Sequence, residues 1–319
     1  MKPQAAAPQK PQVVKPPSRM KLGGVVKGRL VRPVCVVIHG VDGVGKSTFG
    51  ADAPSPIFLG AEDGTAQLDV ARFPAPQSWD DMLDAVRELA TEPHEFKTLV
   101  VDSLDWAEPL VWRHLCEAAG KASIEDVGGG FGKGYTAAVD EWRRFLAAME
   151  PLRSLGMNVV LIAHSTIKSF KNPEGDDYER YQLKLHEKSA STLREWADDV
   201  LFATHEVVVA KNEKTKRVRG VDTGARIMHS VRSAAFDAKN RHSLPAVLPL
   251  SWAEYWSAVQ AGQVAEPAAL RAAVEALLPT LGEKDRAALP GHLQSAGDDA
   301  VKLAKLLDWT KARGAKEET

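Results

Sequence analysis

Gly40, Gly45, Lys46 and Ser47 stand at the spacing G-x-x-x-x-G-K-[ST], within the stretch 34–48, VCVVIHGVDGVGKST. That spacing suits phosphate chemistry. Glycines let successive backbone N–H groups turn inward around phosphate oxygens, and a helix that starts at the lysine adds the positive end of its dipole. Lys46 would reach the β- and γ-phosphates, and the Ser47 hydroxyl would ligate Mg²⁺. Val41, Asp42, Gly43, Val44 and Thr48 complete the loop and join the nucleotide-binding set. A second chemical signal follows about 55 residues later, where an apolar run ends in Asp102. A carboxylate at a strand end is the usual partner of such a loop and holds the Mg²⁺ shell. A third is His164, a polar side chain at the tip of another apolar run, placed to sense a γ-phosphate.

These residues need strands to carry them. The apolar, β-branched run 34–38 breaks into the glycine-rich turn and then a helix. Residues 57–61 read as a second strand, ending in Glu62-Asp63-Gly64. Ser78 and Asp81 form a capping-box pair that opens a helix to about residue 91. Residues 98–101 are a third strand and 104–119 a helix whose aromatics, Trp106 and Trp112, are expected in the core. Residues 157–163 form a continuous apolar strand, as in a sheet buried on both faces. Strands alternating with helices after such a loop predict an α/β fold: a mostly parallel central sheet flanked by helices, with nucleotide at the strand C-terminal ends.

The glycine-rich stretch 128–135 reads as a mobile loop before a helix over 136–155. Phe131, Lys133 and Tyr135 within it suit base stacking and phosphate contact, and a hairpin with inward-tucked aromatics is the alternative. Residues 166–186 mix Lys168 and Lys171 with aromatic residues around Asn-Pro and Glu-Gly turns, which predicts a projecting hairpin or a loop that orders on binding. A short helix (188–197), a strand (200–203), a hairpin over 205–221 and a strand at 226–229 follow. The chain then becomes Ala-rich and helical from about residue 252. Three segments are expected: a flexible basic Pro-rich tail (1–30), a nucleotide-binding domain (31–250) and a C-terminal helical extension (251–319).

Composition sets outer bounds. Of 319 residues, 44% are hydrophobic and 26% charged, ordinary values for a globular protein. The formal net charge of −1 excludes polyanion binding by bulk charge, so a nucleic-acid surface must be local. The two cysteines, Cys35 and Cys116, make no spaced pattern and fit buried thiols in a reducing compartment. No apolar run reaches the ~18 residues of a membrane span, so a cytoplasmic protein without a membrane partner is expected.

The ordered set IHGVDGVGKST, IFLGAEDG, TLVVDSLDW, GGGFGKGY, NVVLIAHS and EWADDVLFA resembles the phage-encoded RecA-like ATP-binding proteins, a family that includes recombinases proposed to assist single-strand annealing. The likeness covers roughly residues 33–250. It implies a RecA-like core, ATP as the nucleotide, and Glu62 as the acid that activates water. It also implies His164 as the sensor and the loops 128–135 and 166–181 as DNA-binding loops. A basic finger from a neighbouring subunit resembles Lys239-Asn240-Arg241, which makes Lys239 and Arg241 catalytic candidates in a homo-oligomer. The implied function is an ATPase, stimulated by DNA, that acts on single-stranded DNA in phage recombination or replication within the bacterial host. A single-stranded-DNA-binding protein is a further candidate partner. A nucleotide-gated scaffold with little turnover is one alternative, against which Glu62 argues. A small-molecule kinase is the other, and no Arg-rich lid supports it.

Overall fold

The computed structural model describes residues 25, 32–62, 64–173, 175–211, 218–263 and 267–314. The expected tail (Val25 apart), Asp63 and the turn 212–216 lie outside the described residues. A ten-stranded sheet runs in the order β10-β8-β7-β1-β5-β4-β2-β3. Its parallel part consists of β1 (Cys35–Gly40), β2 (Pro56–Gly60), β3 (Ala71–Arg72), β4 (Thr98–Asp102), β5 (Asn158–Phe170) and β7 (Asp199–Lys211). Strands β8 (Val218–His229) and β10 (Val247–Pro249) extend it antiparallel beyond β7, which also pairs with the two-residue β9 (Lys239–Asn240).

The central strands are apolar on both faces because both faces are covered. Every residue of β1 and β4 is buried, which is why these segments read as unbroken hydrophobic runs rather than alternating ones. On one face, Cys35, Val37, Leu99, Val101, Val159 and Leu161 pack against four helices. These are α2 (Trp79–Thr91), α3 (Leu104–Ala119), α4 (Lys133–Ser154) and α5 (Glu187–Trp196). On the other, Val36, Ile38, Val100, Val160 and Ile162 pack against α1 (Lys46–Ala51) and α6 (Trp252–Gln263). The Ser78–Asp81 capping box is formed in both directions and starts α2 as expected.

Several expectations need correction. Strand β5 does not stop at residue 163. It runs on to Phe170 and turns back as β6 (Tyr178–Leu183), pairing antiparallel from Ser165↔Leu183 to Phe170↔Tyr178. The projecting hairpin is thus a continuation of a core strand. The separate strands and hairpin expected between residues 200 and 229 are one long pair, β7 and β8, with a register shift between His205 and Val207. Trp106 is not in the core: it is 53% exposed, because its position on α3 faces away from the sheet. The glycine-rich stretch is shorter than a loop of eight. Residues Ile124–Gly129 form a 3₁₀ segment kinked at Val127 and Gly128, and α4 begins at Lys133.

The boundary expected at residue 251 also moves. Trp252, Tyr255 and Val259 of α6 are buried with Phe49 in the core beneath α1, and the Tyr255 hydroxyl donates to Asp199 Oδ2 at 2.8 Å. Helix α6 therefore belongs to the sheet domain. A separate apolar cluster joins α7 (Pro267–Ala276), α8 (Glu283–Ala296) and α9 (Ala300–Gly314) through Leu270, Val274, Leu289, Leu293 and Leu303. Among the described residues, no helix is long and apolar enough to cross a membrane.

Gly134 ties α4 to the 3₁₀ segment. A Cβ there would stand 1.9 Å from the Ile124 carbonyl oxygen, a backbone atom with no freedom to retreat. Glycine to alanine inside a helix ordinarily stabilises by ~1 kcal/mol, but the clash outweighs this, with overpacking costs of ~1–3 kcal/mol. Gly134→Ala should lower the urea midpoint. Gly291→Ala in α8, whose Cβ would meet open space, should not. A Gly134→Ala protein as stable as the parent would contradict this packing.

Candidate nucleotide site

Parallel register delivers the chemistry to one edge of the sheet. Gly40 at the end of β1 lies opposite His164 of β5, and Asp102 at the end of β4 lies opposite Ile162. The P-loop, His164 and Asp102 therefore meet at the carboxyl edge, where open α/β sheets bind ligands. A cavity of about 280 Å³ opens there, lined among others by Lys46, Ser47, Glu62, Asp102 and His164, with Gln67 and Leu68 forming a wall that the sequence reading did not anticipate.

Within the loop, Gly43 and Gly45 take φ of 71° and 106°, and Val44 is buried in the core beside α1. With Val41, which packs against the same cluster, it anchors the turn, while Gly43 and Gly45 line the cavity. The Lys46 ammonium donates to the carbonyl oxygens of Val41 (2.9 Å) and Gly40 (3.3 Å). Burial pushes the Lys46 pKa down, and the carboxylates of Asp42 and Asp102 push it back up. The Ser47 hydroxyl donates to Asp102 Oδ2 at 2.6 Å. Burial raises the Asp102 carboxyl, against the opposing pull of the Ser47 hydrogen bond and the Lys46 charge. Glu62 sits just past β2, and its Oε2 accepts from the Ser103 hydroxyl at 3.4 Å.

The family follows from this geometry and from direct comparison. A family model described as an AAA domain matches residues 32–242, from β1 to just past β9. The chain belongs to that AAA-domain family. It is also 24% identical over 147 residues to a SPbeta prophage-derived uncharacterized protein, YorG, of Bacillus subtilis strain 168. That match takes in 44% of each protein, so it spans less than half of the relative. In this AAA domain the P-loop, Glu62, Asp102 and His164 are brought together as the sequence reading placed them.

The sequence reading missed the residue that orients His164. Asp105, in the first turn of α3, accepts from the His164 backbone N–H at 3.0 Å and from its Nδ1–H at 2.9 Å. The Asp105 side chain is only 4% exposed. With Nδ1 occupied, Nε2 is left toward the loop, 3.7 Å from Asp42 Oδ1. The signal was present as a second aspartate three residues after Asp102, at the start of a helix. A second histidine, His39, is wholly buried behind the loop. Its Nε2 donates to the Asp237 carbonyl at 3.0 Å, so Nδ1 accepts from the Ser165 hydroxyl at 2.9 Å. Burial pushes its pKa down to about 4, so it stays neutral and structural.

The other anticipated residues lie apart from the cavity. Lys239 and Arg241 sit beside the start of β7, at the opposite edge of the sheet from the P-loop. The Lys239 ammonium donates to the carbonyls of Arg194, Glu195 and Ala197 at 2.6–2.9 Å, closing the C-terminal end of α5. Within the chain, Lys239 is thus engaged in capping α5. Arg241 is half exposed, with Nη1 3.5 Å from Asp198. Phe131 is fully exposed. Lys133 and Tyr135 lie in the first turn of α4 rather than in a mobile loop, and one face of Tyr135 is stacked on His186 with ring centroids 4.1 Å apart.

Lys168 and Lys171 border a hollow of about 550 Å³ between the β5–β6 hairpin and α5. Arg180, Arg194 and Arg232 join them, against only Glu187 and Asp237. Asp237 is held by both Arg180 and Arg194, and Lys171 pairs with Asp177.

The Asp105 hydrogen bond raises the His164 pKa above its usual 6.5. The charged imidazole is thereby favoured in the fold, so its contribution to stability is present below about pH 6.5 and is lost as pH rises through the raised value. On Asp105 itself burial acts upward, but the bonds from His164 leave it lower than usual. Asp105→Asn should bring the His164 titration, followed by NMR of the ring carbons, to a lower pH than in the parent. An unchanged titration would contradict the assigned pairing.

Proposed function

We propose that the AAA domain binds and hydrolyses ATP with Mg²⁺, and that the protein couples this cycle to single-stranded DNA. The observation that carries the reading is one cavity shared by Lys46, the Ser47–Asp102 pair, Glu62 and His164. The donors fit Mg²⁺: a hydroxyl and a carboxylate oxygen 2.6 Å apart are hard ligands for a hard cation. Among the described residues no cluster of three acidic, His or Cys side chains could hold a metal alone. Mg²⁺ commonly completes its shell with phosphate oxygens and water beyond one or two protein ligands. When bound, the cation would neutralise charge on the β- and γ-phosphates.

The chain's own groups account for the remaining roles. Lys46 would exchange its two loop carbonyls for phosphate oxygens, and backbone N–H groups of the loop would hold the β-phosphate. Glu62 would accept a proton from water as the water oxygen bonds to the γ-phosphorus. The bond from that phosphorus to the β–γ bridging oxygen breaks, its electron pair leaving with ADP. His164, fixed by Asp105, would donate from Nε2 to the γ-phosphate and so register its presence.

For DNA, support comes from the cationic hollow beside the hairpin. Strand β5 carries His164 at the nucleotide cavity and Lys168 at the hollow, four residues apart on one rigid element. Arg180, 4% exposed, lies over the Phe170 ring with its guanidinium carbon 5.2 Å from the centroid. Lys168, Arg232 and exposed Phe131 offer charge and a stacking face. Were a neighbouring copy to receive a cation from this chain, Arg241, half exposed, would have to leave Asp198 and the Glu195 carbonyl to supply it.

Two measurements test this reading. Glu62→Gln should retain fluorescent-ATP binding while phosphate release falls by ~10²–10⁴-fold, whereas Lys46→Ala should lose binding as well. Parental turnover in Glu62→Gln would remove Glu62 as the base. Oligo(dT) affinity should fall steeply with salt, and Phe131→Ala should cost ~1–3 kcal/mol. Salt-independent binding, or full affinity after Lys168→Ala combined with Arg232→Ala, would remove the DNA assignment.

A further inference from the structure

Arg226 lies outside every motif in the sequence, yet the fold aims it at the P-loop. It is carried by β8, where it pairs with His205 of β7, and its carbonyl accepts from Leu250 N–H at 2.9 Å. Two residues further along β8, Met228 pairs with Ala203, which itself lies opposite Gly40 of β1. Arg226 therefore stands two residues beyond the end of the P-loop strand, past the carboxyl edge. Side chains two apart share a face of a strand. Met228 is buried with Phe49 on the α1 side, so Arg226 projects on that side too.

The guanidinium closes against the loop itself. A Cβ on Gly45 would stand 2.6 Å from Arg226 Nη1 and 3.5 Å from its Cζ, with Leu250 next at 3.8 Å. Yet Arg226 is exposed, and among the described residues its guanidinium forms no ion pair or hydrogen bond. It rests at the junction where the loop's backbone N–H groups turn into α1. Its planar fork matches two oxygens of a phosphate at once.

We propose that Arg226 is a positioning residue for the nucleotide, gripping the phosphate chain from the Gly45 side of the loop. The inference rests on the reading of this cavity as a nucleotide site. Lys46, Glu62 and His164 face the terminal phosphate end. Arg226 meets the loop at Gly45 rather than standing with Glu62 and His164, which assigns its contacts to the phosphates that ATP and ADP share. It would set affinity for both nucleotides and take no part in cleaving the terminal bond. A nucleoside without phosphates would not engage it.

The test compares the full chain with Arg226→Ala and Arg226→Lys, titrated by calorimetry with Mg²⁺ plus ATP, ADP or adenosine. The expected result for Arg226→Ala is a roughly tenfold or greater weakening for ATP and ADP alike, because a charge-assisted hydrogen bond is lost. Arg226→Lys should recover part of the affinity, since the charge remains but the two-pronged contact does not. Thermal unfolding without nucleotide reports whether each variant folds. Equal nucleotide affinity in a folded Arg226→Ala protein would overturn the proposal. So would a defect for ATP alone, which would place Arg226 at the terminal phosphate. A parent chain that binds neither nucleotide would instead sink the reading of the cavity itself.

Discussion

The parallel pairing of β1 with β5, and of β5 with β4, is the constraint on which the site depends. It places Gly40, His164 and Asp102 at one edge. Because side chains alternate faces along a strand, a slip of one residue would turn each of them away from the cavity. Burial on both faces of β1 and β4 makes such a slip costly, since it would exchange the apolar sets packed against α1 and α6 on one side and α2 to α5 on the other. The chemistry is thus fixed by packing rather than by loops alone.

Electrostatics then sharpens what packing has placed. Lys46 is almost wholly buried and is compensated by two carbonyls and by nearby carboxylates. A buried ammonium with only neutral partners at bonding distance has much to gain from an anionic ligand. Asp105 plays the complementary part for His164. Its buried carboxylate fixes the ring, selects the nitrogen that bonds it and favours the charged form. His39, one residue before the loop, is held neutral by burial and so adds no positive charge behind the site. One strand tip therefore presents a charge-competent histidine, and its neighbour an inert one.

The P-loop, Glu62, Asp102 and His164 were legible because each ends or follows an apolar run, and strand periodicity alone predicts where such runs finish. The Ser78–Asp81 cap was legible for the same local reason. Asp105 and Arg226 were not, because their significance comes from partners 59 and 181 residues away in the chain, His164 and Gly45 respectively. The capping role of Lys239 was hidden for a related reason. A basic triplet looks the same whether it serves a neighbour's phosphate or the carbonyls at the end of α5. Trp106 misled through composition: large aromatics are usually core, and only the helix phase against the sheet shows this one to be exposed. The AAA-domain match ends at residue 242, yet α6 is packed into the same core. Composition could not reveal that, because Ala-rich helices look alike in sequence.

The most direct measurement of the central claim is a structure of the protein with ADP, Mg²⁺ and beryllium fluoride as a mimic of the terminal phosphate. The account predicts that the Lys46 ammonium leaves the carbonyls of Gly40 and Val41 for the mimic, that Ser47 reaches the cation, and that His164 Nε2 points at the fluoride. A nucleotide bound elsewhere, with Lys46 still on its two carbonyls, would contradict it.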